Sequence, residues 1–130
     1  MNKRILMIDD DPHMHRIVQI YLKGQPYHLD TVSSARGGLH KLENQTYDLV
    51  LSDIQMPGMD GLEFIKRIKE KIPSLPIIIL SAYDSDLFRD EINTFAGIYI
   101  ISKPFERSAL ISLIEKVLSE STKQDERESG

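Results

Sequence analysis

The chain is 130 residues long, which is one domain's worth of core and little more. At 41% apolar and 28% charged it has the balance of a soluble globular domain. Sixteen basic against 20 acidic residues leave a net charge of -4, which argues against the basic patch or stripe that nucleic acid requires of a partner. The absence of cysteine excludes disulfides, thiol nucleophiles and thiolate metal sites. The apolar run Ile5 to Ile8 is too short for a signal peptide, and no run approaches the ~20 residues that cross a bilayer. These features predict a cytoplasmic protein that contacts neither nucleic acid nor membrane.

Ile5-Leu6-Met7-Ile8 reads as a strand covered on both faces. Asp11 and Pro12 supply a cap and first position for a helix carrying Met14, Ile17, Val18, Tyr21 and Leu22 inward, ended by Gly24. His28 to Ser33 is a second strand. Ser34 caps a helix with Ala35, Leu39 and Leu42 inside, ending near Asn44. Leu49 to Asp53 is the third strand. After a Pro57-Gly58 turn, Asp60 caps a helix with the stripe Leu62, Ile65, Ile68 and Ile72, stopped by Pro73. Ile77-Ile78-Ile79-Leu80 is the most apolar strand, and a weaker helix is expected over 84–95. Ile98 to Ile101 forms a fifth strand. Leu110, Leu113, Ile114, Val117 and Leu118 mark the last helix. Residues 120–130 are polar and without periodicity, so a disordered tail or the start of a linker is expected there. Strand and helix alternate five times, which predicts a parallel sheet with helices on both faces.

Parallel connections bring the carboxyl ends of all strands to one edge, where ligands of open α/β sheets collect. Asp9, Asp10, Asp53, Ser81 and Lys103 all stand at such ends. Singly, each has an ordinary explanation. The aspartate run before Pro12 suits capping and turns, Ser81 suits a cap, and Lys103-Pro104 suits a surface turn. Jointly they place clustered carboxylates beside a hydroxyl and an ammonium. Such carboxylates must be protonated, paired or bridged, and Mg²⁺ with oxygen ligands fits best. The set describes a phosphoryl-binding site, and an Asp carboxylate can serve as the nucleophile.

The motifs Ile8-Asp9-Asp10-Asp11, Ser52-Asp53 through Pro57 to Asp60-Gly61, Leu80-Ser81-Ala82 and Ser102-Lys103-Pro104-Phe105 resemble the response-regulator receiver domain of two-component signalling. The likeness extends over roughly residues 3 to 119, with a receiver domain assigned to 1–119. It implies a (βα)5 flavodoxin-like three-layer sandwich with strand order 2-1-3-4-5, an order that receiver proteins share with flavodoxin. It implies Asp53 as phosphoacceptor and Mg²⁺ (or Mn²⁺) held by Asp10, Asp53 and the backbone carbonyl of Gln55, with Asp9 acting through water. Lys103 and Ser81 would bind phosphoryl oxygens. The donor would be a sensor histidine kinase, a phosphotransfer protein or a small phosphodonor. Movement of Ser81 would remodel the face formed by the 84–95 helix, the fifth strand and the last helix, regulating an output domain or protein target. The resemblance also allows a phosphorylation-dependent homodimer. Gln55 and Tyr83 would flank the path of water, with Tyr83 slowing hydrolysis.

The chain departs from the family pattern at the switch. Three residues before Lys103, where the family commonly places Tyr or Phe, stands Ile100, with Tyr99 one position earlier. Neighbouring strand side chains point to opposite faces, so Tyr99 replaces Ile100 only if the register shifts. Two competing readings remain open on the sequence. One is a small phosphatase resembling the haloacid-dehalogenase family, with Asp9 as nucleophile and Asp11 as acid/base. The other is a phosphorylation-independent interaction module on the same fold.

Overall fold

The computed structural model describes residues 2–53, 55–56, 59–81 and 97–129, with the backbone alone at 55–56, 59–60, 62 and 121–129. The expected 84–95 helix and Tyr83 lie outside the described residues. The elements run β1 (Lys3–Ile8), α1 (Pro12–Leu22), β2 (Tyr27–Val32), α2 (Ala35–Asn44), β3 (Leu49–Asp53), α3 (Gly61–Lys71), β4 (Ile77–Ser81), β5 (Ile98–Ser102) and α4 (Arg107–Ser129). Between β3 and α3, Gln55–Met56 pairs antiparallel with Met59–Asp60. The five long strands form one parallel sheet in the order β2-β1-β3-β4-β5. The alternating pattern predicts the parallel sheet, and the family resemblance implies this flavodoxin-like order.

Each central strand is buried on both faces, and its alternate side chains feed two separate cores. Ile5, Met7, Leu49, Leu51, Ile78 and Leu80 pack with α1 and α4 through Val18, Leu22, Leu110 and Ile114. Leu6, Ile8, Val50, Ile77 and Ile79 pack on the other side with Ala35, Phe64, Ile65 and Ile68 of α2 and α3. A period of two along a doubly covered strand produces this division, which is why these strands read as continuous apolar runs. Capping follows the sequence at two helix starts. Asp11 accepts from the His13 N–H, and Ser34 accepts from the Gly37 N–H. Gly24 takes φ 84°, a left-handed turn just beyond α1 that suits glycine.

Two expectations are corrected. Ile17 is not part of the inner stripe of α1; it and Ile20 are exposed, while Val18 and Leu22 are buried. Phe64, absent from the predicted stripe of α3, is fully buried against Gly38 and the second core. The described backbone of α4 is helical to Ser129. No proline or glycine interrupts the chain between Ser119 and Gly130, so nothing in that polar run forces the helix to stop.

Candidate functional site

The sheet register sets the site. Ile8 pairs with Ser52 and with Val32, Asp53 with Leu80, and Ser81 with Ser102. The next residues after β1 and β5, Asp9 and Lys103, therefore emerge beside Asp53 and Ser81. Asp9 is fully buried, Asp53 is 9% exposed, and Ser81 is buried. Asp10 is exposed at the turn into α1.

Lys103 Nζ donates to Asp9 Oδ2 at 3.2 Å and to Asp53 Oδ2 at 3.5 Å, with its side chain 17% exposed. It thus reaches across β4 and β3 to the end of β1. Its own backbone N–H donates to the Ser81 carbonyl at 2.6 Å, which extends the β4–β5 ladder into the site. The segment after it contains a cis Lys103–Pro104 bond and is tied to α1, where the Tyr21 hydroxyl donates to the Phe105 carbonyl. The Tyr21 and Phe105 rings meet edge to face at 6.2 Å.

Carboxylate oxygens of Asp9, Asp10 and Asp53 all lie within 4.8 Å of one another. Opposite oxygens around an octahedral Mg²⁺ are about 4.2 Å apart and adjacent ones about 3 Å. Small side-chain rotations thus suffice for one hard cation to bridge the group, and an all-oxygen donor set is the kind Mg²⁺ takes. Burial pushes the Asp9 carboxyl above its ordinary range, although the Asp11 N–H and Lys103 pull it back. This is the electrostatic signature of charges collected away from water, where a cation is worth most.

These distances bring together Asp9, Asp10, Asp53, Lys103 and, through its backbone, Ser81. Two partners escaped sequence reasoning. Ser52 is buried and its Oγ donates to the Asp53 carbonyl at 2.9 Å. His15 Nε2 lies 2.6 Å from the Asp9 carbonyl oxygen. The nearer carboxylate to Lys103 is Asp9, whereas the motif alone pairs the lysine with phosphoryl oxygens over Asp53. On β5 the aromatic and the isoleucine face opposite ways. Ile100 pairs with Ile79 and packs with the α2–α3 core, while Tyr99 pairs with Ile78 and packs towards α4, its hydroxyl donating to Glu120. No register shift occurs, so Tyr99 does not occupy the direction of Ile100.

The family model for the response regulator receiver domain matches residues 5–115. The chain belongs to this family. Receiver-domain membership removes the dehalogenase-like phosphatase as a description of the chain. Among relatives, the chain is 36% identical over 119 residues to the transcriptional regulatory protein ZraR of Escherichia coli K12, covering 91% of this chain and 27% of that protein. It is 33% identical over 123 residues to the DNA-binding transcriptional regulator NtrC of the same strain, covering 94% of this chain and 26% of the relative. The receiver therefore spans about a quarter of the length of these relatives. The solution structure of the apo receiver domain of nitrogen regulatory protein C is 34% identical, with TM-score 0.82 and coverage of 91% and 95% of the two chains. A CheY-like receiver domain from Methanospirillum hungatei JF-1 is 30% identical, with TM-score 0.87 and coverage of 95% and 99%. Among the described residues, no helix of this receiver is long and apolar enough to cross a membrane.

Proposed function

We propose that this receiver is a phosphorylation-activated cytoplasmic switch whose acceptor is Asp53. The observation that carries the reading is the ammonium of Lys103 within 3.2 Å of Asp9 and 3.5 Å of Asp53, beside the three-carboxylate cluster. An Asp53 carboxylate oxygen attacks the phosphorus of a phosphohistidine on a sensor kinase or phosphotransfer protein. The P–N bond breaks, its electron pair stays on the imidazole nitrogen, and Asp53 becomes an acyl phosphate. Lys103 follows the new negative charge away from Asp9, and Ser81 donates a hydrogen bond to a phosphoryl oxygen. Asp10, Asp53 and the Gln55 carbonyl would hold Mg²⁺ (or Mn²⁺), with Asp9 acting through a water. When bound, the ion neutralises charge on the transferring phosphoryl group.

The receiver assists its own phosphotransfer and dephosphorylation rather than turning over a separate substrate. Output passes through Ser81 and β5 to the surface of β5, α4 and the residues between β4 and β5. Ile100 faces α2–α3 and Tyr99 faces α4, so the two sides of β5 offer separate routes for that signal. The named relatives are transcriptional regulators of which the matched segment is about a quarter, which supports an output domain or protein target beyond the receiver. A homodimer formed on phosphorylation belongs to the same proposal.

Intact-protein mass after incubation with acetyl phosphate and Mg²⁺ tests the reading. One phosphoryl adduct is expected on the wild type, none without Mg²⁺ and none on Asp53→Ala. An adduct that survives in the variant moves the nucleophile elsewhere, with Asp9 first to examine. No adduct on either protein, with a phosphohistidine donor failing too, favours an interaction module that has kept the residues without the chemistry.

A further inference from the structure

Asp9 is held at every polar atom. Its N–H donates to the Val32 carbonyl at 3.2 Å, Oδ1 accepts from the Asp11 N–H at 2.9 Å, and Oδ2 accepts from Lys103 at 3.2 Å. The remaining atom, the backbone carbonyl oxygen, meets His15 Nε2 at 2.6 Å. A carbonyl oxygen only accepts, so Nε2 carries the hydrogen in this contact. The bond runs from the start of α1 back across the β1–α1 turn.

Helix capping does not explain it. Asp11 already caps α1 by accepting from the His13 N–H, and its carbonyl already takes the N–H groups of Met14 and His15. What the His15 bond fixes is a peptide plane. The Asp9 carbonyl, the Asp10 nitrogen and the Asp10 Cα belong to one rigid unit. With the Asp9 oxygen clamped, rotation of that unit is restrained, and the Asp10 Cα, from which the exposed side chain departs, is held in place. Asp10 is the member of the carboxylate cluster that stands out of the sheet at the turn, so it gains most from such a clamp.

We propose that His15 is a positioning residue for the cation site: its Nε2–H clamps the Asp9–Asp10 peptide and presets the Asp10 carboxylate beside Asp9 and Asp53. The inference rests on the reading of those three carboxylates as the Mg²⁺ site. Its physical basis is that groups supporting a ligand lower the ordering cost of binding and typically change metal affinity by about 10–100-fold.

The test uses Mn²⁺ as probe on the full chain, with bound ion read from loss of the free-ion electron paramagnetic resonance signal. Wild type, His15→Leu, His15→Gln and Asp53→Asn are titrated, and the metal-free Tm of each is recorded. Expected is a loss of affinity of about tenfold in His15→Leu. In His15→Gln the carboxamide N–H restores a donor to the same carbonyl, and affinity stays within about twofold of wild type. Wild-type affinity in His15→Leu overturns the proposal, and so does an equal loss in the Gln and Leu variants, which would mark a packing role. If His15→Leu does not fold, His15→Ala is judged by the same outcomes. Wild-type protein that binds no Mn²⁺, or binds it equally well after Asp53→Asn, defeats the assignment of the cation site itself and the clamp with it.

Discussion

Asp30 accepts from three side chains of different chemistry. The Tyr47 hydroxyl donates to Oδ2 at 2.6 Å, Arg4 reaches the same oxygen at 3.4 Å, and His28 meets Oδ1 at 3.0 Å. The Tyr47 hydrogen bond is the main influence holding the Asp30 carboxyl below its ordinary value, helped by His28. Burial, and then the same hydrogen bond, push the Tyr47 phenol up to about 12. The two shifts act at opposite ends of the pH scale. A depressed carboxyl stabilises the fold above its unfolded value of 3.8, and that contribution is lost as pH falls through the lower folded value. A raised phenol stabilises the fold below its unfolded value of 10.0, and that contribution is lost as pH rises towards about 12. Tyr47→Phe keeps the ring beneath the Arg4 guanidinium, which lies 5.4 Å from the Tyr47 centroid, and removes only the hydroxyl. We expect the variant to lose about 1 kcal/mol at neutral pH, the net worth of a partly solvated hydrogen bond to a charged group. Its deficit should shrink at both acid and strongly alkaline pH. Urea denaturation across the pH range checks this, and a deficit constant with pH would show that the hydroxyl acts without coupling to Asp30 ionisation.

At the scale of elements, α2 lies close over β1 at Gly38. Two adjacent glycines in a helix each cost about 1 kcal/mol against alanine, so Gly37-Gly38 looks unfavourable from propensity alone. Packing supplies the reason for the second. A Cβ on Gly38 would stand 2.6 Å from Ile8 Cδ1, 3.0 Å from Ile8 Cγ1 and 3.4 Å from Phe64 Cζ. Gly38→Val is therefore expected to destabilise the chain by roughly 2 kcal/mol, as overpacked cores do. Adding Ile8→Val, which removes the atom in closest conflict, should recover part of that loss, a coupling that two independent sites would not show. A double variant whose loss equals the sum of the single losses would place the cost in the helix and not in the contact. The same close packing explains what the residue pattern did not reveal. Helical periodicity proposes a stripe of apolar residues but not its exact azimuth. Phe64 stands one position from Ile65 and the exposed Ile17 one position from the buried Val18, so an azimuth off by one residue leaves out the first and takes in the second. The strands Ile5–Ile8 and Ile77–Leu80 were legible because four apolar residues in a row, too few for a helix, suit a strand covered on both faces. The helical backbone beyond residue 119 was not legible, because a polar run without a stripe has only propensity to mark it.

For the whole molecule, the order of elements was enough to gather the site. Once strands alternate with helices and run parallel, Asp9, Asp53, Ser81 and Lys103 must share one edge, whatever the packing. Which carboxylate takes the lysine, and which side chain steadies the β1–α1 turn, depends on distances of a few tenths of an ångström that no spacing encodes. The gathered edge also has a cost. Among the described residues, three carboxyl groups cluster where Lys103 reaches two of them, and the most buried, Asp9, is disfavoured as an anion chiefly by desolvation. The fold therefore carries a local destabilisation that a bound divalent cation would relieve. On the proposed assignment, Mg²⁺ at a hundredfold excess over its Kd stabilises the chain by about 2.7 kcal/mol, several degrees of Tm. Asp10→Asn removes one repelling charge and one ligand together. Without metal the variant should melt above the wild type, because neutralising one member of the cluster lowers the repulsion. With Mg²⁺ the order should invert, since only the wild type retains the full ligand set. Melting curves of both proteins, with Mg²⁺ and after removal of divalent ions by chelation, read the two effects separately. A variant that melts below the wild type in both conditions would mean that Asp10 supports the turn as a structural residue, and that the cluster's repulsion is already relieved without a cation.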